Sequence, residues 1–182
     1  MMGFFDHLEE LVRTVMRDGR GQDATAHVVQ SVRREFSPDI VRIQIVSGNI
    51  DVEIRGHESE GMLFELKSFS SDDQDHLAFS LKELSGNLVV QTEEGRCHNA
   101  SLYVTVPQRK LNMTVVTRDG DVSILNVVAS DIDIQTATAD VHVADSSCDK
   151  LCVRTRDGDI FVRNVKANNP PALVSNTGDV LC

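Results

Sequence analysis

Apolar and other residues alternate through short stretches of the C-terminal third, and the alternation recurs at a fixed interval. In one unit Leu151, Val153 and Thr155 alternate before a turn, and Ile160 and Val162 resume the alternation after it. A period of two predicts strands that bury one face. Each unit therefore predicts a strand, a turn, a second strand and a corner.

The turn recurs at positions spaced 19, 19 and 20 residues apart, which are Gly120, Ala139, Gly158 and Gly178. A period of this length predicts stacked coils, because one short strand pair cannot bury its apolar face alone. Glycine at the turn predicts a positive φ. A second repeating feature, 19 residues apart, marks the corner at Asn126, Asp145 and Asn164.

Two earlier glycines, Gly48 and Gly86, have apolar residues at the same offsets as the later turns. The predicted fold is an all-β β-solenoid of about six turns that begins near residue 40. The predicted domains are an N-terminal helix and linker over 1–22 and a solenoid over 23–182. The solenoid comprises irregular coils over 23–110 and regular repeats over 111–182.

Residues 3–18 carry the pattern of a short amphipathic α-helix. Its apolar side chains fall on one face, and these are Phe4, Phe5, Leu8, Leu11, Val12, Val15 and Met16. The pattern leaves three roles open: a cap on the first coil, a surface that binds a protein partner or a second copy, and a peripheral membrane anchor.

Composition narrows the class of protein. Every acidic residue in 111–182 is aspartate, the acid typical of turns, and 28 acidic against 18 basic residues give a net charge of −10. That charge argues against nucleic acid as a partner. No apolar run could span a membrane, no signal peptide is evident, and four cysteines are too few for a disulfide scaffold. We expect a cytoplasmic protein with free thiols.

Recurring short motifs carry a family resemblance. They are VTVP at 104–107, L-x-M-x-V at 111–115, and a repeated T-x-x-G-D-[VI]-x-[VI]. With these, roughly residues 25–182 resemble the toastrack domain family, also catalogued as putative adhesins. The resemblance implies a bacterial β-solenoid without known activity, often fused to membrane-associated or envelope-stress modules.

The strongest candidate for chemistry is a column of aspartates, one from each coil: Asp121, Asp140, Asp159 and Asp179. Stacked carboxylates repel one another unless a cation such as Ca²⁺ binds or hydrogen bonds compensate. We favour hydrogen bonds from the amides of each aspartate's own turn, with Arg118 and Arg156 nearby. A Ca²⁺ column stays open as the alternative.

Other candidates favour structural roles. Thr117, Thr136 and Thr155 predict an internal hydroxyl ladder, because no histidine recurs beside them as a base. Cys148 and Cys152 lack the spacing of a zinc site. We therefore expect no catalytic residues, no cofactor and no enzyme.

The final coils carry apolar residues at outward positions, and these predict self-association. The predicted interface consists of Phe161, Val174, Leu181 and Cys182. The predicted function is a non-enzymatic scaffold or interaction module that forms a homo-oligomer through its C-terminal coils. The alternative is an adhesin-like protein that binds Ca²⁺ or a glycan.

Overall fold

The computed structural model describes residues 27–70, 77–92 and 99–182, and within them the fold is all β. The predicted helix at 3–18 lies outside these residues. No helix in the described ranges is long and apolar enough to cross a bilayer.

The first half of the described chain contains seven strands. They are β1 (His27–Phe36), β2 (Arg42–Val46), β3 (Asp51–His57), β4 (Met62–Ser70), β5 (Phe79–Leu84), β6 (Asn87–Thr92) and β7 (Asn99–Pro107). Nine strands follow in the regular repeats. They are β8 (Leu111–Val116), β9 (Val122–Leu125), β10 (Val128–Gln135), β11 (Val141–Ala144), β12 (Ser147–Thr155), β13 (Ile160–Arg163), β14 (Lys166–Ala167), β15 (Ala172–Ser175) and β16 (Val180–Leu181).

The strands form two facing sheets that enclose the core. Sheet A has the order β1-β4-β7-β3-β9-β11-β13-β16, and sheet B has the order β14-β12-β10-β8-β2-β6-β5, with β15 also pairing with β12. Each coil gives one strand to each sheet. We call the end at β1 and β5 the head, and the end at β15 and β16 the tail.

The regular repeats stack in the predicted register. Ile132 pairs with Leu151 in sheet B, and Val141 pairs with Val122 and Ile160 in sheet A, all between parallel strands. All five side chains are at most 1% exposed. A 19-residue shift therefore places equivalent apolar side chains in one continuous core.

The order of the first coils differs from the order along the chain. The coil of β2 and β3 lies between the coil of β6 and β7 and the coil of β8 and β9. Strands β4 and β5 pair antiparallel with β7 and β6, and β1 pairs antiparallel with β4. After β3 the chain therefore runs to the head and forms β4 to β7 there. It then crosses to the opposite side of β2 and β3, where it forms β8 and β9.

Gly86 is a turn residue, but not the coil turn that its offsets predicted. It lies between β5 and β6 in an antiparallel hairpin, and Leu88 and Val90 pair with Ile43 and Ile45 before the turn of the neighbouring coil. The offsets from Gly86 instead predict that Leu88 and Val90 follow a coil turn. The offsets were misleading because alternation does not specify the sheet to which a strand belongs.

The predicted positive φ at the repeating turn glycines is wrong. Among the described glycines only Gly86 has a positive φ, of 75°. At the opposite corner, Asn126, Asp145 and Asn164 have φ values of 54°, 52° and 52°. These residue types tolerate the left-handed region, which explains why they recur at the corner. The turn glycines serve close packing between layers instead.

Aromatic side chains close the core at the head. The Phe64 ring contacts Phe36 edge to face at 6.5 Å between centroids and stacks on Phe79 at 6.2 Å. Buried residues from Phe36 to Ile160 belong to one hydrophobic cluster. The irregular head and the regular coils therefore share a single core.

Candidate functional site

The predicted aspartate column forms where the strands of sheet A begin, and Asp51 extends it by one layer. The Asp121 amide donates to Asp51 Oδ1 at 3.1 Å. The amides of Asp140, Asp159 and Asp179 donate in the same way to the preceding aspartate, at 3.0, 2.8 and 2.8 Å. Each bond joins adjacent coils, whereas the sequence predicts that an aspartate accepts from the amides of its own turn.

Burial and charge repulsion both act on Asp51, at one end of the column. Burial raises the pKa of Asp51, the hydrogen bond from the Asp121 amide opposes that rise, and the Asp121 carboxylate adds to it. The ionised form of Asp51 is therefore less favourable in the folded protein than in the unfolded chain.

We expect Asp51→Asn to raise the melting temperature at pH 7 by about 1–2 °C, because it removes a partly buried charge that also lies beside the Asp121 carboxylate. The asparagine carbonyl can still accept the Asp121 amide. Because the pKa of Asp51 is raised in the folded state, ionisation of Asp51 destabilises the wild type. This destabilisation is absent below the unfolded pKa of 3.8 and appears as the pH rises through the folded pKa. Melting curves at pH 7 and pH 3 check this, since the difference should vanish at pH 3; an equal difference at both would contradict it.

A second set of aspartates at the turns is neutralised. Arg118 Nε donates to Asp119 Oδ2 at 2.8 Å, and the hydroxyl of Thr138 in the next coil donates to Asp119 Oδ1 at 2.8 Å. Arg156 and Asp157 repeat the ion pair at 2.7 Å. These partners lower the pKa of both carboxyl groups. The arginine pairs thus lie within one turn, whereas the threonine contact joins neighbouring turns.

The hydroxyl column bonds to backbone rather than to other hydroxyls, which corrects the predicted ladder. Thr155 Oγ1 donates to the Ala139 carbonyl at 3.3 Å and accepts from the Gly158 amide at 3.1 Å. Thr117 Oγ1 donates to the Gly48 carbonyl at 3.1 Å, and Thr136 Oγ1 donates within its own turn at 3.2 Å. Each hydroxyl thus has a backbone partner at a turn.

The cysteines of the described residues form no disulfide. Cys148 and Cys152 are buried and free, and Cys182 is exposed and free. Burial, followed by the charges of Asp149 and Asp131, raises the pKa of Cys148, which keeps it protonated. Over the described ranges, no three His, Cys, Asp or Glu side chains are grouped closely enough to hold a metal ion.

The residues of the predicted interface lie at the tail. Leu181 pairs with Phe161 between β16 and β13, and both face outward from sheet A. Val174 faces outward from β15 in sheet B and pairs with Arg154. Val174 and Leu181 are 49% and 56% exposed, whereas Phe161 is half-buried. The sequence therefore located exposed apolar residues on both sheets of the last coil.

A shallow depression lies on the outer face of sheet A, and the sequence pattern did not predict it. It has a volume of about 220 Å³ and spans β7, β3 and β9. We call it the Tyr103 groove, and its polar side chains are Asp51, Glu53, Ser101, Tyr103, Asp121 and Ser123. The alternation of Leu102, Val104 and Val106 could have indicated this groove, because it turns Tyr103 outward.

A solved structure shares this architecture. A cell adhesion protein from Clostridium sporogenes ATCC 15579, described as putative, superposes with a TM-score of 0.52 at 5% identity, over 83% of this chain and 97% of that one. A putative adhesin from Parabacteroides merdae ATCC 43184 gives a TM-score of 0.34 at 11% identity, over 88% and 98% of the two chains. The first likeness shows a shared fold.

Comparison with curated proteins gives no match. The Toastrack DUF4097 family, by contrast, matches residues 37–182, which include every coil of the stack. That match confirms the resemblance inferred from the repeated turn motifs. The chain belongs to the Toastrack DUF4097 family.

Proposed function

We propose that the protein is a non-enzymatic scaffold whose last coil binds a second copy of the chain. The observation that carries the proposal is a loss of burial along one inward row of sheet A. Val122, Val141 and Ile160 are at most 1% exposed, whereas Val180, which pairs with Ile160, is 42% exposed. Val180 is exposed because β16 is the last strand of its sheet. A further strand would bury it.

The tail also offers backbone groups for pairing. Strand β16 ends sheet A, and β15 pairs on one side with β12, so each has an outer edge without a described partner strand. An unpaired edge with apolar side chains favours pairing with another chain. Outward Leu181 and the exposed thiol of Cys182 would lie at the rim of such an interface.

The head carries charges that disfavour the same pairing. Strand β1 presents Arg33, Arg34 and Glu35, and β5 presents Lys82 and Glu83. Charged side chains on edge strands protect proteins from edge-to-edge association. Two tails are thus the better match, and a contact between identical surfaces closes as a two-fold dimer.

The test is the solution mass by light scattering on a sizing column. We expect a dimer for the intact protein and a monomer for Val180→Asp or Leu181→Asp, because a carboxylate at the contact would be buried without a partner. Circular dichroism should show unchanged folding, since both side chains are already exposed in the single chain.

A matched variant at the head, Val28→Asp, adds the same charge on β1, where Val28 is 40% exposed. It should stay dimeric. If Val28→Asp and Val180→Asp both reduce the mass, the tail binds the head of the next copy and the scaffold is an open chain. An intact protein that is monomeric at 100 µM, or one dissociated only by Val28→Asp, overturns assembly through the tail.

Binding of Ca²⁺ or a glycan, at the aspartate column or on a flat face of the solenoid, stays a prediction from the sequence. One oxygen of Asp51, Asp121, Asp140 and Asp159 already accepts an amide of the next coil. The column therefore has a structural role whether or not it also binds a ligand.

A further inference from the structure

The Tyr103 groove combines exposed carboxylates with an exposed aromatic ring. Asp51 and Asp121 lie side by side at the start of β3 and β9, and the Asp121 amide donates a hydrogen bond to Asp51 Oδ1 at 3.1 Å. Glu53 lies one outward position further along β3, where it pairs with both Tyr103 and Ser123. The groove therefore crosses two adjacent outward rows of the sheet.

Its negative charge is only partly neutralised. Arg55 Nη2 forms an ion pair with Glu53 Oε1 at 2.7 Å. Among the described residues, neither Asp51 nor Asp121 forms an ion pair with a lysine or arginine. The burial and charge that raise the pKa of Asp51 are the same features that a bound cation would offset.

The ring adds a second kind of attraction. Tyr103 is the single tyrosine of the chain and is 39% exposed, although it stands in the middle of an eight-stranded sheet. Its outward row places Glu65, which is paired with Lys67 at 2.9 Å, on one side and Glu53, which is paired with Arg55, on the other. A flat ring between carboxylates attracts cations through its π face, and arginine prefers such a face because its guanidinium group is planar.

We propose that the Tyr103 groove binds an arginine side chain of a basic partner peptide, with the guanidinium on the Tyr103 ring and its N–H groups on Asp51 and Asp121. The volume of about 220 Å³ lies below the usual range for small-molecule pockets and suits one side chain. Five donors in a planar fork match two adjacent carboxylates better than a single ammonium does. The net charge of −10 would steer such a peptide toward the protein. The proposal does not depend on self-association.

The test is a titration of the intact, ¹⁵N-labelled protein with the peptide acetyl-Gly-Arg-Gly-Arg-Gly-amide, followed by amide chemical shifts. We expect shifts centred on Glu53, Tyr103 and Ser123, and none with the same peptide carrying uncharged citrulline for arginine. Tyr103→Leu should weaken binding about fivefold, whereas Tyr103→Phe, which keeps the ring, should retain it. Asp51→Asn should weaken binding about fivefold and reduce its dependence on salt.

Glu83→Gln provides the matched control, since it removes one negative charge from the exposed end of β5. It should leave binding unchanged. The proposal is overturned if Glu83→Gln weakens binding as much as Asp51→Asn, which would mean general charge attraction, or if citrulline peptide binds equally well. It is also overturned if a neutral oligosaccharide or Ca²⁺, but not the arginine peptide, shifts the groove amides.

Discussion

Replacing Gly120 by alanine should destabilise the protein by about 3 kcal/mol, near the upper end for overpacking in a rigid interior. A Cβ at this position would lie 1.9 Å from the Ile50 carbonyl oxygen, 2.2 Å from its carbon and 2.9 Å from the Asp51 nitrogen. These are backbone atoms of the adjacent layer, so no side-chain rotation relieves the overlap. Urea unfolding followed by circular dichroism measures the effect.

Gly61→Ala is the matched control, because a Cβ there would meet no atom within 4 Å. Its free energy of unfolding should change by less than about 0.5 kcal/mol. Ala139 occupies the position of Gly120 in the next coil, so the turn itself admits a Cβ. Equal stability of the two variants would show that neighbouring layers are further apart than the structure indicates.

Leu66→Ala should lower the free energy of unfolding by about 2–5 kcal/mol, the range for truncating a fully buried leucine. Leu66 is 0% exposed in β4, a head strand that the repeat pattern does not include. Because one hydrophobic cluster spans the head and the coils, the whole protein should unfold in a single transition at lower urea. With no tryptophan and one tyrosine in the chain, Tyr103 fluorescence reports on sheet A specifically.

Leu84→Ala removes the same atoms from a leucine that is 75% exposed on β5. Its effect should stay within about 0.5 kcal/mol. Two separate transitions in Leu66→Ala, with circular dichroism and fluorescence no longer coincident, would mean that the head folds independently of the coils.

The regular coils could be predicted because the residues that determine each coil are contiguous in the sequence. A unit of about 19 residues contains its own alternation, turn and corner, and stacking equal units fixes the register. The aspartate and threonine columns followed from that register alone. The partners of their polar atoms did not, since a sequence period cannot show whether a carboxylate bonds within a turn or across to the next one.

The head could not be predicted, because its pairings join segments that share no period. The apolar positions around Gly86 match those of a coil turn, yet the strand that follows Gly86 pairs with β2 in sheet B and not with a strand of sheet A. The Tyr103 groove depends on this arrangement, since β7 reaches β3 only when the chain reverses. The alternation indicates that Tyr103 faces outward, but it does not show that Asp51 and Asp121 lie near it.

The place of β2 and β3 inside the stack also bears on how the chain acquires its structure. Between the regular coils, the hydrogen bonds that join aspartates span 19 or 20 residues, but the bond from Asp121 to Asp51 spans 70. Closing the longer loop costs more entropy, and nonlocal contacts slow folding. Folding of the chain would thus start among the C-terminal coils, whose contacts join residues that are close in sequence. The layer of β2 and β3 would then settle on a template already formed by β8 and β9, and the head would close over it last.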